Sequence, residues 1–278
     1  MSEIMNGKAV SERIYHEIKQ ELKYEMIKPS LAVIQIGNDK ASELYIKNKK
    51  KACDDTGIFF RYHHFDDNTP EVTIINKIKE LNNDEYVNGI IIQLPIPDRY
   101  NEKRLVNSII NSKDVDGLTD INTGRLINGK KTLVPCTALG VMELLKYYEV
   151  SVEGKHVVIV GKGKLTGQPL LQLFLNAGAT VTVCHSKTFE LSTYTKTADI
   201  LVSATGCGHL IKANMVKKDA VVIDVGISFE DGKQIGDVDF EEVSKKVDLI
   251  TPNPGGVGPM TVAMLLSNVM TCYRNKKK

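Results

Sequence analysis

The chain has almost no excess of either charge: 36 basic side chains stand against 34 acidic ones, a net +2. Long-range steering by nucleic acid or an anionic membrane needs a broad surplus of one sign, so any anion site here is a local pocket. Long apolar runs are also missing; none approaches the roughly 18 residues of a membrane span. The polar start, MSEIMNGKAVSERI, lacks the apolar core of a signal peptide. These absences predict a cytoplasmic protein with neither nucleic-acid nor membrane partners. The five cysteines, Cys53, Cys136, Cys184, Cys207 and Cys272, include no CxxC pair, and the six histidines form no HExxH. That scatter fits reduced thiols and excludes a disulfide frame or zinc site. Lys113-Asp114-Val115-Asp116-Gly117 resembles a calcium loop only in composition. Its glycine falls at the fourth position instead of the sixth, with Arg125 where a bidentate glutamate belongs, so no metal is expected.

What is present reads as α/β. With 278 residues and roughly 150 per domain, two domains are expected. Val10, Ile14, Ile18 and Leu22 form an apolar stripe on a helix ending before Pro29. Leu31 to Ile36 reads as a strand, Ala41 to Thr56 as a polar helix with Gly57 at its C-cap, and Phe59 to Phe65 as a strand. Thr69-Pro70 predicts an N-cap and first-turn proline for a helix carrying Ile74, Ile75 and Ile78, followed by a buried strand from Gly89 to Leu94. A loop rich in Asp, Asn, Gly and Thr, roughly residues 117 to 136, marks the junction. Beyond it, strands are expected at His156–Val160, Thr180–Cys184, Ile200–Ser203, Val221–Val225 and Asp248–Ile250. Their continuous β-branched runs imply a parallel sheet covered on both faces, with ligands at the carboxyl ends of its strands.

His156 to Pro169 is strand, glycine loop and helix. Gly161 and Gly163 permit a tight turn with close backbone approach, and the following helix offers its N-terminal N–H groups to a pyrophosphate. Three residues separate Gly163 from Gly167 where the dinucleotide pattern has two, so a ligand-free glycine turn is an alternative reading. The strand Thr180 to Cys184 runs into His185-Ser186-Lys187, where an NAD-binding fold carries an acid. A hydroxyl and a lysine there, with Lys162 and Lys164 in the first loop, favour a 2′-phosphate and hence NADP; each lysine alone also reads as a solvated surface charge.

In the first half, Tyr45 and Lys49 are four residues apart on one helix face, with Ser42 a turn earlier. An aromatic ring beside an amine suits a flat heterocycle. Like charges and partial burial would lower the Lys49 pKa toward that of a base, although a solvated basic face is the plainer reading. Gln93 falls at the carboxyl end of GIIIQLPIP, either capping the strand or facing a ligand. Asp116, before a glycine, is a turn former or a carboxylate for ligand N–H donors. Thr251 to Met260 is a side-chain-poor loop opening a last helix, Thr261 to Tyr273. It can serve as a hinge and also let a ligand touch backbone.

GNDKASELYIKNKKKACDDTGI, GIIIQLPIP, KDVDGL, PCT, GKGKLTGQP, VTVCHS, IDVGI, GDVDF and TPNPGGVGPMTVAML follow one another as in a single family. By these blocks the chain resembles bifunctional methylenetetrahydrofolate dehydrogenase/methenyltetrahydrofolate cyclohydrolases. The resemblance implies an α/β folate-binding catalytic domain (1–136 with 253–278) and a Rossmann-type NAD(P)-binding domain (137–252), flanking a cleft in a homodimer. It implies Lys49 as catalytic lysine, Tyr45 as the ring stacking on folate, Gln93 as the group positioning that lysine, and Asp116 as the carboxylate holding the pterin. Ser42, Leu94, Pro254, Gly255 and Gly258 complete the implied folate contacts. Gly161, Lys162, Gly163, Ser186 and Ile227 are the implied contacts to NADP, or to NAD. The family's Gly-Arg-Ser is here Gly161-Lys162-Gly163, without a guanidinium fork and a hydroxyl. The usual proline after PCT is Ala138, and the usual valine of TPVPGG is Asn253. The altered loop leaves a cyclohydrolase with impaired or altered-cofactor dehydrogenase activity as one rival reading. A noncatalytic nucleotide- or folate-binding module is another, though it would leave Tyr45, Lys49, Gln93 and Asp116 together unexplained. A shikimate-dehydrogenase-like enzyme shares the two-domain plan but not the Tyr45/Lys49 helix.

Overall fold

A computed structural model describes residues 2–277, apart from the side chains at positions 40 and 41. In chain order its elements are β1 (Glu3–Ile4), α1 (Gly7–Leu22), β2 (Ser30–Ile36), α2 (Lys40–Thr56), β3 (Phe59–Phe65), α3 (Glu71–Asn83), β4 (Gly89–Ile92), α4 (Glu102–Val106), α5 (Asp120–Ile127) and α6 (Cys136–Tyr147). Then come β5 (His156–Val160), α7 (Gly167–Asn176), β6 (Thr180–Cys184), α8 (Leu191–Thr195), β7 (Ile200–Ser203), β8 (Val221–Asp224), β9 (Ser228–Glu230), β10 (Lys233–Ile235), α9 (Phe240–Val243), β11 (Leu249–Ile250) and α10 (Val257–Lys276). They fold into two compact units: everything up to Ser11 with Thr137–Thr261, and Glu12–Cys136 with Val262–Lys278.

The second of these units is built on a three-stranded parallel sheet in the order β3-β2-β4. Central β2 is buried along its whole length, as a strand covered on both faces must be. Its Ile34 and Ile36 pack with Ile74 and Ile78 of α3 and with Ile90 and Ile92 of β4. Asp39 caps α2 by accepting the Ser42 N–H at 2.7 Å, and Gly57, at φ +86°, closes the helix as the glycine there predicted. β4 stops at Ile92. Gln93 N–H makes one more bond, to Ile34 O at 2.8 Å, and Pro95 and Pro97 then have no N–H to continue the ladder. Two local expectations need correcting. Pro70, not Thr69, is the N-cap of α3 and makes no side-chain cap bond. The expected loop at 117–136 contains α5, capped by Thr119 and opened by Asp120, a start signal present in the sequence.

The other unit carries a six-stranded sheet in the order β1-β11-β8-β7-β5-β6, every pair parallel. Chain order leaves β5 in one direction to β6 and resumes on its other side at β7, so the carboxyl ends of β5 and β7 flank a topological switch point. A separate hairpin pairs β9 with β10. Strand β1 was not foreseen. Glu3 N–H donates to Asp248 O at 2.7 Å and Met5 N–H to Ile250 O at 2.8 Å, with Met5 fully buried. Residues 2–11 therefore pack in this unit, and so does the chain from 253 to 261. That differs at both ends from the division 1–136 with 253–278, because two terminal backbone bonds and one buried side chain leave no trace in periodicity. Helix α10 also begins four residues earlier than expected, at Val257.

Candidate active site

Helix α2 presents Tyr45 and Lys49 one turn apart. Tyr45 is exposed, while Lys49 is half-buried. Lys49 Nζ donates to Gln93 Oε1 at 2.6 Å, and Gln93 Nε2 donates to the Leu94 carbonyl at 2.7 Å. Both ends of the Gln93 amide are thus engaged, and its oxygen is fixed toward the amine. Asp116 lies in the turn after the isolated bridge Ile90–Asp114, and its charge acts on Lys49. Burial is the largest influence on both groups: it lowers the Lys49 pKa and raises that of Asp116, while their mutual attraction pulls each the other way. The arrangement is a lysine whose ammonium form is disfavoured by burial and whose orientation is set by an amide.

Two side chains that sequence reasoning treated only as scattered or apolar-helix positions belong here. The Cys136 thiol, buried at 2% exposure, donates its one hydrogen to Val115 O at 3.4 Å, beside Asp116; burial pushes its pKa well above the ordinary thiol value. Asn268 of α10 donates to Val115 O at 2.8 Å and Val134 O at 3.0 Å. The PCT block and the last helix held both residues, but nothing local in them points to Asp116. Ser42, by contrast, is buried at 2% exposure, and its hydroxyl has no hydrogen-bond partner among the described residues.

The nucleotide features lie in the other unit. Gly161 ends β5 at φ +117°, and a Cβ there would sit 2.3 Å from Ala204 O, just past β7, so only glycine lets the two strand ends close. A Cβ at Gly167 would lie 2.0 Å from Gly161 O, whereas Gly163 faces open space. Thr166 gives α7 no side-chain cap; in its first turn Gln168 N–H donates to Gly163 O at 3.0 Å and Pro169 has no N–H, which leaves the Gly167 N–H to face a ligand. Lys162, Gly163, Ser186 and Lys187 are exposed at the neighbouring carboxyl ends of β5 and β6. This open, cap-free, cation-bearing turn at a switch point fits a dinucleotide phosphate. Asp237, fully buried, accepts Ser203 Oγ (2.8 Å), Thr205 N–H (2.7 Å) and Cys207 N–H (2.9 Å), fixing the loop after β7. Asp224 at the end of β8 accepts the Asp237 and Val238 N–H groups at 3.0 Å. Ile227 follows at 39% exposure. Pro254, Gly255 and Gly258 lie in this unit, in and beyond the turn opening α10. Asn253 ties that turn down, donating to Gly226 O at 2.5 Å and accepting from Gln234 Nε2 at 2.6 Å. The departure from the family's valine therefore adds a tether beside Ile227.

A doubly wound parallel sheet with a glycine turn at its switch point, in a chain that also holds an amide-oriented lysine, defines the class: a two-unit α/β enzyme using a nicotinamide dinucleotide. Family models narrow this. Residues 5–116 match the catalytic domain of tetrahydrofolate dehydrogenase/cyclohydrolase, and residues 135–277 match its NAD(P)-binding domain. Bifunctional protein FolD of Campylobacter jejuni (strain RM1221) is 49% identical over 278 residues, covering 98% of this chain and 99% of that protein. The crystal structure of the bifunctional FolD from Campylobacter jejuni has a TM-score of 0.97 at 48% identity, over 99% of this chain and 100% of that one. The Trypanosoma brucei enzyme, solved with NADP and an inhibitor, gives a TM-score of 0.94 at 34% identity, over 100% and 99%. The chain belongs to the tetrahydrofolate dehydrogenase/cyclohydrolase family.

Proposed function

We propose that this chain oxidises 5,10-methylenetetrahydrofolate to the 5,10-methenyl form with NADP and hydrolyses that product to 10-formyltetrahydrofolate, with Lys49 as the base of the second step. The observation that carries the assignment is the 2.6 Å bond from Lys49 to Gln93 in surroundings that disfavour the ammonium. When bound, the nicotinamide takes up hydride. Two nitrogens flank the methylene carbon and stabilise the cation left behind, so the protein's task is alignment more than proton transfer. Tyr45 supplies a stacking face, Asp116 accepts pterin N–H donors, and Leu94 completes the folate contacts within the same unit. In hydrolysis, neutral Lys49 takes one proton from the water attacking the methenyl carbon and returns it to the departing ring nitrogen, while the adduct's remaining hydroxyl proton passes to solvent as the formyl C=O forms. Gln93 occupies one amine hydrogen and leaves the lone pair free. Gly161, Lys162, Gly163, Ser186 and Ile227 hold the dinucleotide.

A spectrophotometric assay with methylenetetrahydrofolate and either cofactor, alongside methenyl hydrolysis, tests the reading. Lys49→Met is expected to lower hydrolysis at least about 100-fold; near-normal hydrolysis would remove Lys49 from this role. The active form is a cytoplasmic homodimer in this reading, supported by the family resemblance, and sedimentation at the monomer mass would count against it. No helix among the described residues is long and apolar enough to cross a membrane.

A further inference from the structure

We propose that Asn268 is the positioning residue for Asp116: its amide, reaching from α10, locks the peptide preceding Asp116 to the chain segment that brings in Cys136. The inference rests on the role given above to Lys49 and Asp116.

Asn268 is only 5% exposed. Its single amide nitrogen carries two hydrogens, and two carbonyls from separate segments take them, Val115 O at 2.8 Å and Val134 O at 3.0 Å, with Cys136 Sγ beyond at 3.8 Å. Val115 O belongs to the peptide joining Val115 to Asp116, so its orientation sets where the Asp116 Cα and carboxylate point. The two segments are in close backbone contact: a Cβ at Gly117 would lie 2.6 Å from Val134 C, and Gly117 itself is at φ +68°. On the downstream side the turn is fixed by Asp114, whose carboxylate accepts Leu118 N–H (3.2 Å), Thr119 N–H (2.9 Å) and Asn122 Nδ2 (2.8 Å). Asn268 fixes the upstream side. Asp116 thus sits between two anchors, and the upstream one comes from Asn268, 153 residues further along the chain than Val115.

A buried asparagine can also be purely structural, so the test must read Asp116 itself. The charged or titratable groups acting on Lys49 are Asp116, Cys136 and Cys53, and those acting on Asp116 are Lys49, Asp114 and Cys136. Of these, Asp116 favours the protonated amine. Moving its carboxylate away makes Lys49 easier to deprotonate, so the acid limb of the hydrolysis rate shifts to lower pH. The experiment compares wild type, Asp116→Asn, Asn268→Leu and the double variant in hydrolysis of methenyltetrahydrofolate against pH. The milder Asn268→Ser serves if the leucine variant fails to fold. Asn268→Leu is expected to shift the limb in the same direction as Asp116→Asn, by at least about half a pH unit, and to raise the folate KM about fivefold or more. The double variant should shift no further than Asp116→Asn alone, since both changes remove one interaction. A folded Asn268 variant with the wild-type limb and KM, or additive shifts in the double variant, would overturn the proposal. If Asp116→Asn leaves the limb in place, the Lys49–Asp116 reading itself fails and takes the proposal with it.

Discussion

Single side chains in this protein are governed mostly by what burial does to charge. Lys49 and Asp116 are each driven toward neutrality by burial and toward ionisation by one another, with burial the larger influence on both. Asp224 shows the structural version of the same effect. It is 3% exposed, and burial lifts its pKa to about 6 despite three backbone N–H donors. The folded carboxyl therefore binds its proton more tightly than the unfolded one. Its contribution to stability is intact below the unfolded pKa and is lost as pH rises through about 6, by about 3 kcal/mol for a shift of this size. Carboxyl NMR titration should place Asp224 near that value; titration below about 4.5, close to an ordinary aspartate, would contradict it.

Elements position these groups through a few non-negotiable contacts. Gly161 combines a positive φ with an approach of 2.3 Å between a notional Cβ and Ala204 O. Gly161→Ala should cost about 2 kcal/mol or more in denaturant unfolding and reduce NADP affinity at least about tenfold. An unchanged midpoint with unchanged affinity would mean that the turn is not set by this contact. The sequence made that turn visible because a strand, a glycine and a helix follow one another locally. It did not show the α5 helix inside a loop-like composition, where a good N-cap was outweighed by surrounding Asn, Gly and Thr. Nor did it show the β9–β10 hairpin, whose strands are three residues each and too short to display alternation.

At the scale of the whole molecule, near-zero net charge conceals local cations with different surroundings. Lys49 is drawn inward, while Lys162, Lys164 and Lys187 remain exposed around the dinucleotide turn. Exposed ammonium groups attract a 2′-phosphate as point charges but cannot grip it as a guanidinium fork does. A charge-assisted hydrogen bond contributes roughly 1.5–3 kcal/mol, so losing the fork should leave NADP preferred over NAD by no more than about 100-fold. The ratio of kcat/KM for the two cofactors measures this directly, and a preference of about 10⁴ or more would show that the lysines replace the fork in full.

By itself the sequence determined the alternation of helices and strands, the parallel sheet, the glycine turn, and the pairing of Tyr45 with Lys49, because each depends on neighbours a few residues apart. Tertiary structure decided the rest. It placed Glu3 and Ile4 beside β11, turned Ser42 inward, and set Cys136 and Asn268 on the Val115 carbonyl next to Asp116. Each of those outcomes depends on a hydrogen bond or buried contact whose register and direction exist only once distant segments have packed.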